Sequence, residues 1–171
     1  DVEIIYLPYG TLNEFYKGGI KDNHFLKDIC FANDLYFSYV MAAGIFTPIG
    51  YCVNDKKKRK YKALAYISHV VKEYKIHRIK AKLTTQDYCD EGEYSLIMAI
   101  DSPRCFGFRF NRLFKTDDGI MHLLAIRAPK NNGLIGKIKI FFPLFRAFFV
   151  GFNKSYHSKN MEFRPFDKLT I

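Results

Sequence analysis

The strongest constraint on this chain is a stretch in which the side-chain period is two. Ile79, Ala81 and Leu83 alternate with Lys80 and Lys82, and successive residues of an extended chain point to opposite faces, so this is a strand with one dry face and one wet one. Glu93-Tyr94-Ser95-Leu96-Ile97-Met98-Ala99-Ile100 then reads as a buried strand, entered through a turn at Asp90-Glu91-Gly92. Another apolar run follows Gly119, and a last strand-like segment runs from Arg164 to Ile171. Strands at this spacing, with few helical stretches between them, predict a mainly β, α+β domain with a sandwich-like or folded sheet. The 171 residues, 49% of them hydrophobic, suffice for one good core and are read as a single domain, 1–171. Seventeen Phe and twelve Tyr without any Trp make that core aromatic and β-leaning.

Near the start, Ile4, Ile5, Tyr6 and Leu7 are β-formers bounded by Pro8, and Gly10 permits a tight turn. Thr11 can cap a helix over Leu12 to Lys17, with Glu14 three residues on as the partner of a capping box. Such a strand-to-helix turn gathers backbone N–H groups and the positive end of a helix dipole, which suits a phosphate. An ordinary βα turn has the same spelling, so geometry alone leaves both readings open.

A net charge of +10 implies anionic company, whether phospholipid head groups, nucleotide phosphates or nucleic acid. Only Lys56-Lys57-Lys58-Arg59-Lys60 is a true basic run. It leads into Tyr61 to Tyr74, where Leu64, Ile67, Val71 and Tyr74 fall on one helical face. From Ile29 to Val53 the text is apolar and small and reads as a buried strand or hairpin, with Gly44 allowing a bulge or a close backbone approach. Cys30, Cys52, Cys89 and Cys105 form no C-x-x-C pair and read as reduced thiols of a cytosolic protein. The five histidines make no metal motif and no evident triad.

Thr116-Asp117-Asp118-Gly119 is a compact acidic turn before a strand. Its hard oxygens could ligate Mg²⁺, and a plain β-turn has the same composition. From Leu134 to Phe152 two helical stripes coexist: Ile135, Ile138, Phe142, Phe145 and Phe149 form one, and Phe141, Leu144, Phe148 and Phe152 the other. The segment is too interrupted by Lys139, Pro143 and Arg146 to cross a bilayer. A buried core helix is the default expectation, and an acyl-chain pocket or a membrane-touching flap the alternative.

Pro8-Tyr9-Gly10-Thr11-Leu12-Asn13-Glu14-Phe15 resembles the Pro-x-Gly-Thr-x-Asn-Asp-Phe signature of the lipid kinases that include bacterial diacylglycerol kinases and sphingosine kinases. Phe31-Ala32-Asn33 with its small-residue strand, the basic run before Leu64-Ala65-Tyr66, and Asp117-Asp118-Gly119 follow in the family's order. Departures are Glu14 for Asp, Asp101 to Gly107 in place of a glycine-rich loop, and no acid near Thr47-Pro48-Ile49-Gly50, where sphingosine kinases contact the lipid head group.

The resemblance implies ATP-dependent phosphoryl transfer to a lipid hydroxyl such as that of diacylglycerol, with this chain as the β-rich C-terminal lipid kinase domain. Residues about 1–20 would then form the junction with an N-terminal nucleotide-binding domain. It implies nucleotide contacts at Gly10, Thr11, Asn13, Glu14, Arg59 and Lys60, and Mg²⁺ at Asp117 and Asp118. No catalytic residue carries over, because the family's Gly-Gly-Asp-Gly-Thr loop is absent and its Asp-Gly-Glu base would follow Ile171; the chain, which begins at Asp1, reads as excised from something longer and inactive alone. ATP, a lipid substrate and an anionic membrane surface are the implied partners, with no nucleic acid, a homodimer as one allowed state, and a cytoplasmic location peripheral to the inner leaflet. The competing reading is a non-catalytic module binding anionic membrane or nucleic acid.

Overall fold

The computed structural model describes residues 14–17, 28–47, 74–105 and 107–171. Its centre is an antiparallel sheet of six strands. The long strand β5 (Cys89–Ile100) pairs along one edge with β8 (Met121–Arg127), which pairs with β10 (Met161–Phe166) and then β9 (Tyr156–Ser158). Along its other edge β5 takes two partners end to end, β4 (Ile79–Thr84) against Cys89 to Tyr94 and β3 (Val40–Gly44) against Leu96 to Ile100. Two ribbons flank the sheet, β1 (Cys30–Ala32) with β2 (Leu35–Phe37), and β6 (Arg104–Cys105) with β7 (Phe108–Arg109). The mainly β, α+β architecture agrees with the sequence expectation.

Ser95 is where the two edge strands meet. Its carbonyl accepts the Ile45 N–H at 2.8 Å, its hydroxyl donates to the His77 carbonyl at 2.7 Å, and β5 bulges there against β8. Gly44 makes this possible, because its φ of +111° suits glycine and a Cβ would fall on the Ser95 carbonyl oxygen. One expectation is corrected at the other end of β5. Asp90-Glu91-Gly92 is no turn but lies within the strand, paired with Ala81, Lys82 and Leu83. The chain reverses earlier, where the Thr85 N–H donates to the Tyr88 carbonyl at 2.8 Å. Gly92 serves close approach instead, since the Arg127 guanidinium lies where its Cβ would be.

Both faces of the sheet are dry at its centre. On one face Leu96, Met98, Ile100, Leu124, Ile126, Met161 and Phe163 pack against α2 (Gly133–Phe145) and the π-helical turn Arg146–Val150 that continues it. On the other, Tyr94, Ile97, Ala99, Leu123, Ala125 and Phe166 form a second cluster with Leu83. The tail segment is therefore helical, yet only half of it is core. Leu144, Phe148 and Phe152 of the second stripe are buried, whereas Phe141 and the whole first stripe stay exposed. Among the described residues no helix is long and apolar enough to cross a membrane. The predicted helix from Tyr61 lies outside the described residues except for Tyr74, whose hydroxyl donates to the Lys137 carbonyl at 2.6 Å.

Candidate functional site

Of the nucleotide contacts expected from sequence, Gly10, Thr11, Asn13, Arg59 and Lys60 lie outside the described residues, and Glu14 lies within them. Glu14 opens the short helical turn α1 (Glu14–Lys17) and is nearly buried. Its carboxylate accepts from Arg104 Nε at 3.1 Å and from the Gly107 N–H, while Arg104 Nη2 donates to the Gly107 carbonyl at 2.9 Å. Glu14 is thereby fastened to the β6–β7 ribbon. Ser102 shapes that loop, its hydroxyl bonded to the Arg104 backbone, and the Asn111 amide donates to the Ser102 carbonyl at 3.1 Å.

Tyr39 joins the same corner. Burial raises its phenol well above the ordinary range, Cys105 and the Glu14 carboxylate push the same way, and Arg104 opposes them. A phenol held neutral here can donate a hydrogen bond but cannot serve as a base at neutral pH.

The acidic turn sits ahead of β8 and is exposed. Asp118 Oδ1 accepts the Ile120 N–H at 3.1 Å, and Gly119 takes a φ of +66°. Asp28, unnoticed in the sequence, completes the loop, because its Oδ2 accepts the N–H groups of Asp118 at 3.1 Å and Gly119 at 3.0 Å. No local pattern marks Asp28, since its role depends on a contact across 90 residues. Among the described residues no group of three or more His, Cys, Asp or Glu side chains is gathered to hold a metal ion. The donor type fits Mg²⁺, which keeps several waters and needs only one or two carboxylates. Behind the turn, His122 is buried and stacked on Phe163, with 5.4 Å between ring centroids. Burial pushes its imidazole down to about 4, against the pull of the Asp118 carboxylate.

A cleft of about 310 Å³ opens on the sheet face remote from α2, between the ends of β5, β8 and β10. Asp90 is its hub: Tyr94 and Tyr88 donate to it at 2.6 and 3.0 Å, and Arg127 pairs with it. Burial alone would raise the Asp90 carboxyl, but the two phenols and the guanidinium outweigh it and hold it low. Tyr88 is pushed up to about 12, first by burial and then by its bond to Asp90. Beside it Glu162, buried, accepts from Arg164 Nε at 2.7 Å and meets His157 Nδ1 at 2.5 Å. Every acid in this network has a cationic or phenolic partner.

No family model matches this chain, and no curated protein does. Solved structures do. A candidate diacylglycerol kinase from Bacillus anthracis strain Sterne is similar over 94% of this chain with a TM-score of 0.63 and 18% identity. A structure described as a diacylglycerol kinase from the same strain is similar over 94% with a TM-score of 0.59 and 17% identity. The chain spans about half the length of these structures, 55% of the first and 52% of the second. It has their fold over that span.

Proposed function

We propose that this chain is the lipid-facing domain of an ATP-dependent lipid kinase that transfers phosphate to a lipid hydroxyl such as that of diacylglycerol. The observation that carries the reading is the fold likeness over 94% of the chain, in a sequence that holds three spaced signatures resembling that family's in the same order. Gly10 and Thr11 would offer N–H groups to a nucleotide phosphate, and Asn13, Arg59 and Lys60 would supply polar and cationic contacts. Glu14 would act by position, since its carboxylate is engaged by Arg104 and Gly107. ATP would bring its own Mg²⁺, and Asp117 and Asp118 would meet a separate, structural and hydrated ion through oxygens not used by the turn.

Phosphoryl transfer depends on phosphate loop, metal and base meeting at one cleft. This sequence holds no Gly-Gly-Asp-Gly-Thr loop, so on this reading the chain alone turns over no lipid. Its setting would be cytoplasmic and peripheral to the inner leaflet, where ATP and a membrane alcohol meet. The test assays this chain, and any longer product of its reading frame, with ATP, Mg²⁺ and a panel of lipid alcohols including diacylglycerol. The reading expects silence from the chain and phosphorylated lipid from a longer product that carries the loop and the base. Turnover by the chain alone would overturn the divided site. A longer product that carries both and phosphorylates no lipid would leave the non-catalytic anionic-membrane module in its place.

A further inference from the structure

The helix α2 has two apolar faces, and among the described residues only one of them is packed. Gly136, Ile140 and Leu144 point into the core. Leu134, Ile135, Ile138, Phe141, Phe142 and Phe145 face outward, with Leu134 at 74% and Phe142 at 66% exposure. At about 100° per residue these six fall within an arc of roughly 120°, opposite the buried face. The outer surface continues past the helix, because Phe145 stacks on Phe149 at 4.9 Å and Phe149 meets Phe108 at 4.8 Å. A continuous aromatic surface of this kind calls for a partner.

Charge identifies the partner. No Asp or Glu occurs between Asp118 and Glu162, while Lys137 and Lys139 on the helix, and Lys130 and Lys154 in the segments before and after it, are exposed. Lys137 and Lys139 sit about 40° beyond opposite borders of the outer arc, so the apolar face is edged by an ammonium on either side. Long lysine stems of this kind lie along apolar surface and return their charge to the water boundary. A second copy of the chain meeting this face would bring these same lysines together, with no acid of the 119–161 segment to offset them.

We propose that the outer face of α2, with Phe149, lies in the interface of an anionic bilayer, its phenylalanines among the upper acyl chains and Lys137 and Lys139 at the phosphate level. The surface rests on the lipid-kinase reading only in that a lipid substrate is met in a leaflet. Binding and turnover fail separately.

The chain contains no Trp, so Phe142→Trp installs a sole indole at an exposed site, which can be excited apart from the tyrosines. With vesicles of phosphatidylcholine and phosphatidylglycerol, its emission should shift to the blue and be quenched by bromine on the upper acyl carbons. Phe145→Asp in that background should weaken partitioning at least tenfold with an unchanged melting temperature. Lys137→Glu with Lys139→Glu should weaken binding to the anionic vesicles about fivefold or more per lysine. No bromine quenching, equal binding to neutral and anionic vesicles, or a blue-shifted reporter in a lipid-free dimer by light scattering would each overturn the proposal. Intact vesicle binding without lipid phosphorylation by a longer product would count against the kinase reading alone.

Discussion

Glu14 and Arg104 stand 90 positions apart in the chain and 3.1 Å apart in the fold. The pair is largely shielded, with side-chain exposures of 9% and 21%, and the same carboxylate also takes the Gly107 N–H. Removing one partner of a shielded ion pair strands the other, which costs more than the pair itself contributes. Glu14→Ala should therefore destabilise the domain by about 3 kcal/mol in urea unfolding, and Glu14→Gln, which keeps an acceptor, by about 1 kcal/mol. A loss in Glu14→Ala no larger than for an exposed lysine substitution would show that the junction is not held through this pair.

His122 makes stability depend on pH. Its imidazole is neutral in the fold down to about 4, whereas in the unfolded chain it titrates at its ordinary value of 6.5. Between those values the unfolded chain binds the extra proton, so stability is full above pH 6.5 and falls as pH drops toward 4. The loss should amount to a few kcal/mol at most. Urea midpoints measured from pH 7.5 to 4 should fall more steeply for the wild type than for His122→Leu. Parallel slopes would assign the acid sensitivity to other groups.

The acidic turn separates a metal effect from a backbone one. Asp28→Ala removes the acceptor for two N–H groups and should cost about 1 kcal/mol whether or not Mg²⁺ is present. If Asp117 and Asp118 hold Mg²⁺, millimolar MgCl₂ should raise the melting temperature of the wild type and leave Asp117→Asn with Asp118→Asn unmoved. Identical curves for both proteins, with and without the salt, would make the turn purely structural.

Gly44 tests the split edge of the sheet. A methyl group there meets the Ser95 carbonyl and adopts a φ of +111°, so Gly44→Ala should cost about 3 kcal/mol. Hydrogen exchange should quicken at Ile45, whose N–H bonds Ser95. Unchanged exchange at Ile45 would mean that β3 and β4 need no such junction.

The local spelling of the chain determined the class of fold. Alternation at Ile79 to Leu83 and the apolar run Tyr94 to Ile100 mark strands because the period of apolar side chains along the chain is a property of neighbouring residues alone. Asp117-Asp118-Gly119 likewise fixed a turn ahead of β8, through the short reach of its own side chains. The pairing of Glu14 with Arg104, the capping of the acidic turn by Asp28 and the Asp90–Arg127 hub were decided by tertiary structure, since each joins segments 37 to 90 residues apart and no local spelling marks the pairing. The Asp90-Glu91-Gly92 stretch shows the conflict directly. Turn-forming residues became strand because pairing to β4 on one edge and the seat that Gly92 gives Arg127 outweigh a weak local preference. Two apolar stripes were legible between Leu134 and Phe152, but which of them the sheet would cover depended on where β5, β8 and β10 present their side chains, and that geometry exists only in the folded domain.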